Sequence, residues 1–319
     1  MVTIEDILSA RERISKYIYN TPLDFSYNLS NEKTKVYLKL EAQQKLKSFK
    51  IRGALSKMTW LSDKQRLDGV MAVSSGNHGA GVSYAAHILG GIKAKIFVPE
   101  TTPQPKLDKI KYYGAELIKV GKNYDEAHAA AELARKKEKL SFIDPCSDIQ
   151  TISGQGSIAF EILEANPDID TIIAPIGGGG LITGISVAAK HIKPSIQIIG
   201  VQTAACPAMA ASLKDKKCYI DYETEPSICD ALVGGVGEIP YEMAGSCIDD
   251  IILVDEETIK KAVVMLLLND KVVAEPAGAA AAAAFIDNKE RFAGKNVALI
   301  VSGGNLDENL MCRLLESYK

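Results

Sequence analysis

The stretch KLKSFKIRGA, residues 45–54, places four cationic side chains, Lys45, Lys47, Lys50 and Arg52, within ten residues. A run of charge is most often a solvated face. Spacing alone does not single out one of the four amines as a reagent, so the solvated reading leads at this point. A second polar cluster, SSGNHGAG at 74–81, sets Ser74, Ser75, Asn77 and His78 around Gly76 and Gly79. Its hydroxyls, amide and imidazole at a helix start suit an anion such as a carboxylate. A third segment, PIGGGGLITG at 175–184, carries four consecutive glycines, Gly177, Gly178, Gly179 and Gly180, before Leu181. A simple turn needs one or two glycines; four cost backbone entropy and read as a cradle of N–H groups for a phosphate. A fourth, IVSGGNLD at 300–307, offers the Ser302 hydroxyl beside two glycines.

These segments need a scaffold. Thr3 can cap a first helix with Asp6 as its box partner, and Ile4, Ile7, Leu8, Ile14 and Ile18 share a face. Residues 35–41 alternate as a half-exposed strand with Tyr37 and Lys39 outward. Short buried strands are expected at 69–73, 94–98, 115–120 and 140–143, with helices at 80–89 and 124–139 between them. A second series follows: strands at 171–176, 197–201, 250–254 and 296–301, with helices at 181–191, 256–269 and 277–287. Strand–helix alternation over the whole length predicts an α/β protein with open, mostly parallel twisted sheets flanked by helices. In such sheets ligands bind beyond the carboxyl ends of strands, where the polar segments fall.

The glycine run lacks the GK[ST] ending of a P-loop and has Ile182 or Thr183 where a third dinucleotide glycine would stand. The next strand ends in Gln202, not a ribose-binding carboxylate. A phosphate without a nucleotide is the expectation.

A chain of 319 residues is long for one core, so two lobes are expected. The net charge of −3 excludes a nucleic-acid or anionic-membrane footprint. The six cysteines, at 146, 206, 218, 229, 247 and 312, form no C-x-x-C pair, which signals neither zinc nor a redox dithiol. The acidic N-terminus, with Glu5 and Asp6, is unlike a secretory peptide. The most apolar segment, 276–286, is far short of the ~20 residues of a spanning helix, and its alanines predict a tightly packed buried helix. A cytoplasmic protein with no membrane partner is expected.

SFKIRGA, SSGNHG, GGGGL and SGGN, in that order, resemble the fold-type II pyridoxal phosphate enzymes, nearest the serine/threonine dehydratases and serine racemases. The resemblance runs from about Thr21–Pro22 to Asp307. It implies a tryptophan synthase β-like fold of two domains, residues 1–52 with 146–319 and residues 53–145, and a cleft site between them. It implies pyridoxal 5′-phosphate held as a Schiff base on Lys50 beside Phe49. Asn77 would meet the ring 3-hydroxyl, the backbone of Gly177–Leu181 the phosphate, and Ser302 the ring nitrogen. Ser74, Ser75, Asn77 and His78 would receive the substrate carboxylate.

The implied activity is β-elimination of L-threonine or L-serine to a 2-oxo acid and ammonia, with Lys50 as general base. Ser75 resembles the racemase serine that protonates the opposite face, where many threonine dehydratases have alanine. Serine racemase is therefore an alternative, as is a dehydratase for 3-hydroxyaspartate, phenylserine or a hydroxyectoine-pathway intermediate. Metal-dependent racemases place a glutamate and an aspartate where this chain has Gln202 and Ala208, so no metal is expected. The family reads Thr-Gly before SFK where this chain has Leu46 and Lys47. Little chain follows SGGN, so neither a regulatory C-terminal domain nor isoleucine feedback is expected. A homodimer or homotetramer is the family's usual assembly. Lys45 and Lys47 are expected to be solvated and Arg52 structural.

Overall fold

The computed structural model describes residues 1–102, 104–122 and 124–318. Its strands are β1 Leu23–Phe25, β2 Lys35–Lys39, β3 Val70–Val73, β4 Ala94–Val98, β5 Glu116–Lys119, β6 Ser141–Phe142, β7 Thr171–Pro175, β8 Gln197–Thr203, β9 Asp250–Val254 and β10 Asn296–Ile300. The helices are α1 Ile4–Ile14, α2 Lys50–Trp60, α3 Asp63–Asp68, α4 Asn77–Ile88, α5 Gln104–Tyr112, α6 Tyr124–Glu138 and α7 Ile149–Ala165. The remainder are α8 Gly180–Ile192, α9 Ala208–Asp215, α10 Glu238–Cys247, α11 Glu256–Leu268, α12 Pro276–Asp287 and α13 Glu308–Ser317.

The strands form two sheets, β1-β2-β10-β7-β8-β9 and β5-β4-β3-β6. Every described pairing is parallel except β1 with β2. Parallel strands buried on both faces should be apolar throughout, and β3 (VMAV) and β7 (TIIAP) are fully buried. On one side of the larger sheet Ile7, Ile152, Ile158, Ile182 and Ile185 pack from α1, α7 and α8. On the other, α11 and α12 pack through Ile259, Val263 and the alanines of α12. Alanine is small enough to let α12 lie close to the sheet, and Pro276 to Phe285 are all buried. The smaller sheet is likewise covered on both faces, by α2, α4 and α5 and by α6.

The order of the strands brings the loops together. The chain leaves the larger sheet after β2, builds the smaller one, returns at β7, and finally inserts β10 between β2 and β7. The carboxyl ends of three adjacent parallel strands therefore carry the Lys50 segment, the Ser302 segment and the glycine run. The smaller sheet contributes the ends of β3 and β6.

Several local expectations change. The cap of α1 forms as read, with Asp6 N–H donating to Thr3 Oγ1 at 3.3 Å. Leu8 nevertheless faces solvent, and Ile18 lies beyond the helix end; Ala10 joins Ile7 and Ile14 in the buried stripe. Lys39, expected outward, is fully buried because Glu161 meets its ammonium. The helices α2 and α7 were not anticipated. The helix α2 runs through residues 52 and 53 and packs on both α7 and α4.

Candidate active site

Lys50 begins α2, immediately after Phe49. Its Nζ donates to Pro145 O at 3.1 Å and lies 5.2 Å from the Phe49 ring centroid. Among the described residues it has no carboxylate ion pair. The side chain is only partly exposed, and burial lowers its pKa; Cys146, Asp144 and Glu275 act against that shift. A lysine held on a carbonyl with depressed basicity is prepared to act as a nucleophile or a base.

The segment before it is pinned to the end of β10. Phe49 N–H donates to Ser302 O at 3.1 Å, Ser48 bridges Gly303, and Gly304 N–H donates to Lys47 O at 2.9 Å. Leu46 and Lys47 take φ of 61° and 60°, the left-handed region that costs an L residue about 1–2 kcal/mol. Glycine suits that conformation, and this chain holds it with leucine and lysine. Lys47 is exposed, whereas Lys45 is half-buried with its ammonium 5.0 Å from the Tyr19 ring centroid.

Two residues along α2, Arg52 is fully buried between two carboxylates. Its Nε and Nη2 donate to Glu41 at 2.8 Å each, and Nη1 donates to Glu161 Oε1 at 2.6 Å. Lys39 completes the cluster through Glu161, and Thr21 Oγ1 donates to Glu41 at 2.6 Å. Burial would depress the basicity of Arg52, but Glu41 and Glu161 outweigh it and the guanidinium stays charged. Two cations against two anions leave the cluster neutral, and it fixes the start of α2 to β2 and α7.

The glycine run turns from β7 into α8. Gly179 is its N-cap at φ 93°, and no side chain caps the helix. A Cβ on Gly178 would collide with Cys146 Sγ, and one on Gly180 would lie 2.7 Å from Cys146 O. The run therefore has to be glycine where the β6–α7 corner presses on it. Uncapped helix N–H groups on a side-chain-free surface fit an anion the size of a phosphate.

Ser74 and Ser75 are half-buried at the end of β3, and α4 starts at Asn77, again without a side-chain cap. Asn77 Nδ2 donates to Glu275 Oε1 at 2.8 Å, and its Oδ1 accepts from Asn305 Nδ2 at 2.7 Å. Burial raises the Glu275 carboxyl to about 7, with Asp230 adding to the rise. His78 is buried and Nε2–H donates to Ile143 O at 2.7 Å, leaving Nδ1 without a partner among the described residues. Burial, reinforced by the Lys50 charge, lowers His78 to about 4, so the ring is neutral at pH 7. Ser302 is buried with Oγ 3.4 Å from Ala277 O.

Two contributors were not foreseen. Residues 143–147, after β6, supply carbonyls to His78 and Lys50 and the Cys146 side chain to the glycine run. Burial pushes the Cys146 thiol up to about 12, so it is a neutral small side chain. Glu275, before α12, holds Asn77. The 143–147 corner follows a strand end, but its contribution is largely backbone carbonyl, which side-chain chemistry does not reveal.

Gln202 is fully buried, with Oε1 accepting from Ala210 N at 3.0 Å and Nε2 3.4 Å from Cys206 O. Its amide ties the end of β8 to the start of α9. Among the described residues no three His, Cys, Asp or Glu side chains are grouped to hold a metal. No helix of the described residues is long and apolar enough to cross a membrane.

The site thus offers a desolvated lysine, an anion cradle and an amide fixed by Glu275 and Asn305, and residues 14–303 match the family model described as pyridoxal-phosphate dependent enzyme. The chain belongs to the pyridoxal-phosphate dependent enzymes. An L-threonine ammonia-lyase of Thermotoga maritima is 41% identical over 317 residues, covering 99% of this chain and 78% of the relative. A maize serine racemase structure superposes with a TM-score of 0.91 at 34% identity, covering 99% of this chain and 98% of the other. The processed form of threonine deaminase isoform 2 from Solanum lycopersicum gives 0.92 at 32% identity, over 98% and 87%. The α/β fold with parallel sheets and the cofactor expected from the sequence are those of this family. The residues present fit the group, because the cradle excludes side chains and the lysine has no competing carboxylate.

Proposed function

We propose that this enzyme removes water and then ammonia from L-threonine, L-serine or both, releasing a 2-oxo acid. The observation that carries the reading is the Lys50 amine, depressed in basicity and 3.1 Å from the Pro145 carbonyl, in a chain 41% identical to an L-threonine ammonia-lyase. When bound, the cofactor supplies an aldehyde for exchange with the substrate amine and a ring that accepts the electrons of the Cα–H bond.

The chain's own residues supply the rest. Phe49 and Lys50 present the amine, which takes the Cα proton once it is free. Gly177–Leu181 bind the phosphate through backbone N–H groups. Asn77 meets the ring hydroxyl, and Ser302 offers the ring nitrogen a neutral hydroxyl. That choice withdraws fewer electrons than an acidic partner would, which suits elimination over longer-lived carbanion chemistry. Ser74, Ser75, Asn77 and His78, at the uncapped start of α4, receive the substrate carboxylate. Neutral His78 adds no charge there. The cleft lies between a body of residues 1–52 with 146–319 and one of residues 53–145. Cytoplasmic location and a homodimer or homotetramer complete the reading, on the family resemblance alone.

A panel of L-threonine, L-serine, 3-hydroxyaspartate, phenylserine and hydroxyectoine-pathway compounds, followed by 2-oxo acid release, tests the reading. Fastest turnover of threonine or serine is expected; no oxo acid from either would sink it. Ser75 and the likeness to a serine racemase support a second reading, racemisation. Chiral chromatography of L-serine incubations separates the two, since D-serine in excess of pyruvate would favour the racemase.

A further inference from the structure

One cation that touches the loops of the site has no part in the reading above. Lys109 lies on α5, whose Leu107 and Ile110 are buried in the core of the smaller sheet. Its Nζ reaches across to the larger sheet's loops, donating to Leu46 O at 3.2 Å and to Asn305 Oδ1 at 2.8 Å. Asn305 Nδ2 donates to the same Leu46 carbonyl at 2.8 Å and to Asn77 Oδ1 at 2.7 Å. Asn77 Nδ2 then donates to Glu275 Oε1 at 2.8 Å. Ammonium, amide, amide and carboxylate make one continuous run from α5, through the loop after β10 and the start of α4, to the start of α12.

Two features make the cation more than a surface charge. The carbonyl it holds belongs to Leu46, the first of the two left-handed residues that precede SFK. A segment carrying about 1–2 kcal/mol of strain at each of two residues keeps its shape only under external restraint. The run also determines the Asn77 amide. With Oδ1 accepting from Asn305, the two hydrogens point the other way; Glu275 takes one, and the other is left for a ring oxygen. Flipping the amide would set Asn77 Nδ2 against Asn305 Nδ2 and Asn77 Oδ1 against Glu275.

We propose that Lys109 is a positioning residue: it clasps α5 to the strained loop that presents Lys50 and, through Asn305, fixes the orientation of the Asn77 amide. The consequence for the cofactor rests on the reading of Asn77 given above; the clasp itself does not.

The test compares wild type, Lys109→Met, Lys109→Arg, Asn305→Ala and the Lys109→Met/Asn305→Ala double variant. Hydrogen exchange of amides 44–49 is followed with and without pyridoxal phosphate, and the cofactor dissociation constant is measured by fluorescence titration. Loss of a charge-assisted hydrogen bond should speed exchange and weaken the cofactor by about tenfold in Lys109→Met. Lys109→Arg should recover most of both. In the Asn305→Ala background, Lys109→Met should further weaken the cofactor by less than about threefold, because the run is already cut. Exchange and cofactor affinity both within twofold of wild type in Lys109→Met would overturn the proposal. Faster exchange with unchanged affinity would overturn the positioning role. A wild-type protein that fails to bind the cofactor would instead sink the reading of the site, and the exchange measured without cofactor would still report on the clasp. Should Lys109→Met be insoluble, Asn305→Ala against wild type carries the same two readouts.

Discussion

Glu275 and His78 flank the start of α4 and are moved in opposite directions by the same desolvation. The Glu275 carboxyl, raised to about 7, faces Asp230, Asn77 and Asn305, with Lys106, Lys50 and Lys109 near enough to act on it. A carboxyl whose pKa rises on folding binds protons in the native state between its ordinary value and about 7. Its stabilising contribution is complete below the ordinary value and is lost as pH rises through 7. Glu275→Gln cannot titrate, so its melting temperature should fall less than that of wild type between pH 5 and 8. The difference should be on the order of 3 kcal/mol at most, read from thermal melts of both proteins without cofactor. At Lys50 the expectation is chemical. Lys50→Ala should lower turnover by at least about a thousandfold and abolish the mass increase that borohydride leaves on the cofactor-loaded protein. Retained turnover would refute the assignment.

Among the elements, the loops and the helix starts they feed carry most of the chemistry, and they were the most legible part of the chain. The glycine run stood out by its composition, and Lys50, Asn77 and Ser302 were singled out by the order of four motifs taken together rather than by any one residue. Glu275 and the 143–147 corner were not. A carboxylate before an alanine-rich helix has no local signature, and a carbonyl that receives an amine could belong to any residue type. Lys39 misled for a related reason: alternation assigns it to solvent, while its partner Glu161 lies 122 residues away. The buried cluster gives a test at this scale. Arg52→Met leaves Glu41 and Glu161 with Lys39 alone, and should lower the unfolding free energy by about 3–5 kcal/mol, measured by urea denaturation. Lys47→Gly should act oppositely, adding about 1 kcal/mol by relieving a left-handed L residue whose side chain packs on little. At the β8–α9 connection the Gln202 side chain is an uncharged amide engaged with Ala210 N and Cys206 O. Dialysis against EDTA should leave oxo acid formation within about 20% of the untreated rate, on the ground that hard cations want charged oxygen ligands.

For the molecule as a whole, the site draws on both sheets, so occupancy should stabilise both. Saturating cofactor at about 100 times its dissociation constant adds about 2.7 kcal/mol, which for a chain of 319 residues is a rise in melting temperature of about 4 °C. Differential scanning calorimetry with and without cofactor measures it. The cluster around Arg52 has a mechanical consequence. Because it ties the first turn of α2 to β2 and α7, the amine and the phosphate cradle share one frame of reference. The rest of α2, through Ile51, Ala54, Leu55 and Met58, is packed against the smaller sheet. A displacement of either sheet is therefore transmitted to the Lys50 amine along one helix.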